Sequence, residues 1–461
     1  MTEYFLDRLA RFCAQTSYEM IPSSAIHQAK RCLLDLLGCG LGAIGFGCSR
    51  GVVEYVEGLG GKGEASVWGS DAHVPAPHAA LVNGSVAHHL ELDDGHLEAA
   101  SHPGISVIPA ALALAEVTGA SGAELLRAVV LGYEVCIRAG LAFAPGIREH
   151  GVHGPGMMGP LGGAAAASVL LDLPEPQMAS ALATAGSILP VSPYESFVEG
   201  TPSKDLYGGW AGLTGILAAE LARRGMDGPH RFVEGKRSVG QLLLHGHVPS
   251  PDALLENLGE PFLIEHIYLK PFAASRAVHP AVTGILELMG THGFSAADVV
   301  SVNVEMYPFS AGLSDDSTLE TPVTARLNIP YAVAVALRTG GLGPEAFLPE
   351  ALSDAETRIL ARRVTVSTAS RYGAGSTGAR SSVVESVLQD GRKVRTEVVH
   401  SRWDRHRPPS DAELEAKFDR LAARALETVL VKNLKNLVWH LDKQAKLSGL
   451  IAILAAARKR N

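Results

Sequence analysis

Apolar side chains recur at helical spacing from about residue 4 to residue 265, and beyond about residue 266 a two-residue alternation takes over. No uniform bundle or uniform sheet satisfies both periods, so the chain must combine a helical body with a smaller mixed region. In the first stretch Ile26, Ala29, Leu33, Leu36 and Leu37 fall on one helix face behind Pro22-Ser23-Ser24, whose serines suit N-caps. Similar patterns predict helices over 107–117, 122–140, 162–173 and 212–224, separated by Gly/Pro joints such as Leu173-Pro-Glu-Pro. The run Ala164–Ala167 predicts close helix contact. In the second stretch Val300, Val302, Val304 and Met306 alternate with Ser301, Asn303 and Glu305, a half-buried strand. Further strands are expected at 364–366, 383–388 and 394–399, the last two joined by an Asp390-Gly391 turn, with helices over 328–337 and 344–352 between them. Ser410-x-x-Glu413 is a capping box that returns the chain to helix. The expected fold is therefore mainly α: a large helical domain from residues 1–265 and 400–461, and a smaller α+β domain from residues 266–399.

A chain of 461 residues exceeds what one core usually supports, which agrees with two domains. With 47% hydrophobic and 19% charged residues it is globular, and a net charge of −8 without a basic stripe excludes a nucleic-acid or anionic-membrane partner. Cys13, Cys32, Cys39, Cys48 and Cys136 are odd in number and form no C-x-x-C pair, so they read as reduced core residues of a cytoplasmic protein. No stretch has the length and apolarity of a membrane span.

Against this apolar background, polar islands recur: Asp93-Asp94-Gly95-His96 with Ser101-His102-Pro103-Gly104, His153-Gly-Pro-Gly, Ser203-Lys204, and Lys270-Pro-Phe-Ala-Ala-Ser-Arg276-Ala-Val-His279-Pro. Distant loops that each carry an acid, base or anion binder are how enzyme sites are assembled. The histidines and aspartates of 88–102 match no metal-ligand spacing, and no metal is expected; Asp93 or Asp94 serves equally well as a helix cap. His102, just ahead of a helix beginning near Ile105, is expected to have a lowered pKa and to serve as a general base. His153 is placed in a loop. Lys204, between Pro202-Ser203 and an apolar helix, reads as a buried base or an anion clamp. Arg276 suits a bidentate carboxylate contact, with a domain-joining salt bridge as the alternative.

Taken in order, these islands resemble the MmgE/PrpD family: Asn83-Gly84 with Ala87-His88, His102-Pro-Gly, His153 with Gly159-Pro-Leu-Gly162, Ser203-Lys204, Lys270-Pro with His279-Pro280, and Ile329-Pro-Tyr331-Ala-Val. The likeness covers nearly the whole chain. It implies a helical domain built from both chain ends, an α+β lid, a homodimer, and chemistry that uses no cofactor on a small carboxylic acid. It carries site roles onto His102, His153, Lys204, His279 and Tyr331. One segment departs: family lyases commonly show Asp-x-Asp-Asp-Thr, whereas this chain has Glu91-Leu-Asp93-Asp94-Gly95. The family's dehydration, decarboxylation and epimerisation all move a proton at carbon beside a carboxylate. The lost threonine tilts the expectation toward epimerisation of an iminodisuccinate-like acid. A dehydratase acting on a 2-methylcitrate-like acid is the alternative, and an inactive helical binding protein the third. In this scheme His102 and Lys204 are the acid–base pair, Tyr331 orients or relays a proton, and Glu91, Asp93, His153, Arg276 and His279 bind substrate.

Overall fold

The computed structural model describes residues 4–48, 50–247, 249–311, 319–368 and 381–459. Its body is a stack of long helices whose sequences are apolar on nearly every face. Helices Gly104–Thr118 and Gly154–Leu170 are buried almost throughout, so they are packed on all sides rather than amphipathic. Gly154–Leu170 packs against Gly122–Glu149 and Leu206–Arg223. The alanine run permits this close contact, and Gly215 completes it: a Cβ there would lie 2.5 Å from the Ala164 nitrogen. The C-terminal helix Asp411–Ala422 packs on Ser23–Phe46, which joins the two ends of the chain in one helical layer. The capping box at Ser410 and Glu413 is formed. Buried Lys417 reaches back to Asp35 at 2.7 Å and to the Leu92 carbonyl at 2.8 Å, behind the acidic island.

Residues 299–398 carry a four-stranded sheet. Its strands are β3 (Val299–Met306), β4 (Val364–Thr368), β5 (Ser382–Leu388) and β6 (Lys393–Val398), numbered after a two-stranded ribbon of β1 (Ala65–Ser66) and β2 (His73–Val74). The spatial order is β4-β3-β5-β6, with β3/β4 parallel and the other pairs antiparallel. Helices His279–His292 and Ile329–Thr339 cover it. The fold is mainly α with a smaller α+β part.

Several local expectations shift for identifiable reasons. Val300 is exposed and Val299 buried, because a register irregularity between Val299 and Ser301 resets the alternation at the strand entrance. The helix expected over 162–173 begins at Gly154, since Pro155 fits the first helical turn; His153 is thus an N-cap residue, not a loop residue. The helix expected from 212 begins at Leu206, directly behind Lys204. Helix Ser23–Phe46 starts without a serine cap bond. The stretch 344–352 breaks at Leu348, where Pro349 starts a new turn. The cysteines are free, and burial pushes the Cys13 thiol up to about 12. Among the described residues no single helix is long and apolar enough to cross a membrane.

Candidate active site

Four helix ends meet around the acidic island. His88 ends the helix Ala76–His88, His102 lies two residues before Gly104, His153 is the N-cap of Gly154–Leu170, and Lys204 sits in the 3-10 turn Pro202–Asp205 that leads into Leu206–Arg223. Three of the four are helix N-termini, whose free N–H groups and dipoles favour anions.

Glu91 is the centre of the cationic side. It is buried and takes a left-handed backbone (φ 55), a costly conformation for a residue with a side chain. Its Oε1 accepts a hydrogen bond from Lys270 Nζ at 3.1 Å. Lys204 Nζ lies 2.5 Å from Oε2, attracted by charge but off the line of a hydrogen bond, so neither atom has an aligned partner. Both lysines are completely buried. Burial alone would raise the Glu91 carboxyl; Lys204 and Lys270 more than reverse this and hold it well below the usual range. Lys270 is raised in turn: burial would lower it, but Glu91 and Asp93 outweigh burial.

Asp93 organises the imidazoles. One oxygen lies 3.1 Å from His88 Nδ1 and the other 2.8 Å from His102 Nδ1. Against the burial that would raise it, Lys270, His88 and His102 keep Asp93 ionised. An ionised carboxylate only accepts, so His102 carries its proton on Nδ1, and in the neutral ring Nε2 is left as a base. Burial and then Lys270 lower the His102 pKa, with Asp93 opposing. The expected direction is right, but desolvation causes it rather than the helix end. His153 is lowered further, by burial and then by His88 and His102. It packs against Tyr207 with ring centroids 5.2 Å apart, and its Nδ1 is buried without a partner, as is His88 Nε2. Buried unpaired nitrogens are uncommon in a core and mark this one as a place for a ligand.

Asp94 behaves in the opposite way to its neighbour. It accepts from Tyr133 Oη at 2.6 Å and from the Gly104 N–H at 3.1 Å, which is the capping role foreseen for this pair. Burial raises its carboxyl to about 7, beyond what the Tyr133 hydrogen bond can offset.

The structure gathers Glu91, Asp93, His102, His153 and Lys204; of the other three candidates Tyr331 and His279 are engaged by backbone carbonyls, and Arg276 lies at the border of the cluster, over Tyr268. Tyr331 Oη donates to the Ala346 carbonyl at 2.5 Å, and its ring packs on Phe347. His279 Nε2 is 3.1 Å from the Ala274 carbonyl at the start of its helix. Arg276 pairs with Asp404 at 3.0 Å, the joining salt bridge of the alternative reading, and its guanidinium lies 4.7 Å from the Tyr268 ring centroid. Conversely, His88, Lys270, Asp205, Tyr268 and Arg326 join or border the cluster although only Lys270 and His88 carried a signal, as polar residues in apolar runs. Asp205 lies 2.5 Å from His89 Nδ1, and buried Arg326 donates to the His89 carbonyl while its Nε has no partner. Two groupings among the described residues have ligand atoms within 4.8 Å of one another, Glu149/His150/His245 and His400/Asp404/His406; His88, His102 and His153 belong to neither.

The molecule is thus a mainly helical protein whose helix ends bring histidines, lysines and carboxylates together. The N-terminal domain model of the MmgE/PrpD family matches residues 7–252 and the C-terminal model residues 272–443, so the chain belongs to this family. Similar proteins include the cis-aconitate decarboxylase-like protein oryM of Aspergillus oryzae, 27% identical over 94% of this chain and 94% of its own length. The cis-aconitate decarboxylase of Homo sapiens is 27% identical over 93% of this chain and 90% of its own, and that of Mus musculus is 27% identical over 93% and 89%.

Proposed function

We propose that this protein is a lyase that moves a proton at carbon beside a carboxylate of a small tricarboxylic acid, most simply by decarboxylating a cis-aconitate-like substrate. The observation that carries this reading is the convergence on one acidic island of His102, kept neutral on Asp93, and buried Lys204, whose ammonium meets Glu91 off the hydrogen-bond line at 2.5 Å and Asp205 at 3.6 Å. An incoming carboxylate takes Lys204 from Glu91, which Lys270 still holds in place. In decarboxylation the carbon–carbon bond to the departing carboxylate breaks, CO2 leaves, and the bonding pair on carbon takes a proton, assigned to Lys204. On product release His102 Nε2 takes a proton from solvent and passes it to Lys204, which restores both groups. In a dehydration, His102 Nε2 would instead remove the carbon-bound proton while the hydroxyl leaves as water with a proton from Lys204. The decarboxylase names of the relatives support the lyase reading.

Epimerisation of an iminodisuccinate-like acid, the expectation raised by Gly95, is the second reading. Proton NMR in deuterium oxide with cis-aconitate, citrate, 2-methylcitrate and iminodisuccinate separates the two. A new vinyl signal is expected. Exchange of an α-proton with a change of diastereomer and no new alkene would establish the epimerase instead. We also propose a homodimer, because Leu206, Trp210 and Leu217 stand exposed on one face of the helix behind Lys204. Light scattering should give twice the chain mass, and Trp210→Glu should reduce it.

A further inference from the structure

Gly95 and Tyr268 form an isolated antiparallel bridge: the Gly95 N–H donates to the Tyr268 carbonyl at 3.1 Å, and the Tyr268 N–H to the Gly95 carbonyl at 2.9 Å. Gly95 is not among the glycines with positive φ, so its backbone would accept any residue. Space is what demands glycine here. A Cβ at position 95 would lie 2.4 Å from Tyr268 Oη and 2.6 Å from Cζ, with the Ser101 carbonyl at 3.1 Å. The phenol end therefore occupies the volume in which a side chain at 95 would begin.

That phenol is also fixed from several sides. Its ring stands edge-on to His102, with centroids 6.3 Å apart and planes at 86°. The Arg276 guanidinium lies over the ring at 4.7 Å and is itself tied to Asp404. Two residues further along the same extended segment, Lys270 holds Glu91. Tyr268 as a residue is 4% exposed, so it lies buried among these groups.

We propose that Tyr268 is the specificity-determining hydroxyl of this pocket, donating a hydrogen bond to a substrate carboxylate beside His102, and that Gly95 is the vacancy that lets it stand there. The proposal rests on the carboxylic-acid reading above. It explains why this chain has no side chain at 95: the hydroxyl enters from the facing segment, on a longer and stiffer group.

The test compares Tyr268→Phe, Gly95→Ala and the double variant. Each is measured for citrate binding by calorimetry, for KM and kcat on whichever acid the wild type turns over, and for unfolding temperature. Loss of a hydrogen bond to a charged group should weaken citrate binding and raise KM about 10–100-fold in Tyr268→Phe, with an unfolding temperature close to the wild type's. Gly95→Ala should reproduce that loss by displacing the phenol. The double variant should be no worse than either single one, because both remove the same contact. Unchanged citrate binding and KM in Tyr268→Phe, or fully additive losses, would overturn the proposal. Should Gly95→Ala fail to fold, Tyr268→Phe, which keeps the ring, decides alone. A wild type that binds citrate but turns over none of the acids sinks the lyase reading and leaves the hydroxyl to be judged on binding. A wild type that binds no carboxylate sinks both.

Discussion

The helix-end cluster at residues 88–104, 153, 204 and 270 and the sheet-side group of Arg276, His279 and Tyr331 both lie largely in the interior, yet their polar atoms are treated differently. On the sheet side the named groups meet a carbonyl or a carboxylate: Tyr331 with Ala346, His279 with Ala274, Arg276 with Asp404. In the cluster His88 Nε2, His153 Nδ1 and Lys204 Nζ have no aligned partner, and Glu91 is held in a strained backbone conformation. Burial by itself therefore says little about function. Burial without satisfaction does, because a core that leaves polar groups unpaired loses about 1–3 kcal/mol for each unless a ligand completes them.

The largest effect that could break this contrast is at His102. Replacing it with Gln should lower kcat/KM by about 10²–10⁴-fold, the usual worth of a positioned acid–base group, while Tyr331→Phe should leave turnover within about threefold. Equal losses in the two variants would erase the distinction. Lys204→Met comes next. Breaking a buried pair costs about 3–5 kcal/mol, and here the lower end is expected because Lys270 still neutralises Glu91; chemical denaturation measures it alongside lost turnover. Tyr331→Phe should cost about 1 kcal/mol of stability, the net value of one hydrogen bond, with no change in pH profile.

Two pH effects are smaller and sharpen the same comparison. His102 and His153 are held below the ordinary histidine value of about 6.5, so kcat/KM should stay level as pH falls through that value. An acid limb centred there would mean that neither ring carries the chemistry. For stability, unfolded histidines protonate near 6.5 while these folded ones do not, so the two residues favour folding less as pH drops below that value. Asp94 acts in the other direction. Its carboxyl is near 7 when folded and about 3.9 when unfolded, so the stability it contributes is full below 4 and is lost as pH rises from 4 to 7. The unfolding temperature of Asp94→Asn relative to wild type should climb by a few degrees across that interval.

His102 and Lys204 were legible because each is a polar residue flanked by core-like sequence and Gly/Pro breaks. His153 was legible as a residue but misplaced as an element, since Gly-Pro-Gly signals a turn until Pro155 is recognised as a first-turn residue. Arg326 gave no signal: within Ala-Arg-Leu-Asn it resembles any surface arginine, and only packing of Phe347 and His89 around it buries the guanidinium. Tyr268 was equally silent, because its link to Gly95 is a backbone bridge across 173 residues of chain, and such pairings leave no local pattern.

The sequence by itself determined the mainly helical class, the change of period near residue 266, the capping box at Ser410 and the order of polar islands that identifies the family. These depend on side-chain period and local backbone preference, which a short window contains. Only the tertiary structure decided which polar groups share a volume, which are left unpaired there, and which of two adjacent aspartates stays ionised. Those outcomes depend on desolvation and on charges brought together from distant segments: Asp93 faces Lys270 and two imidazoles, while Asp94, one residue on, faces a phenol and a backbone amide.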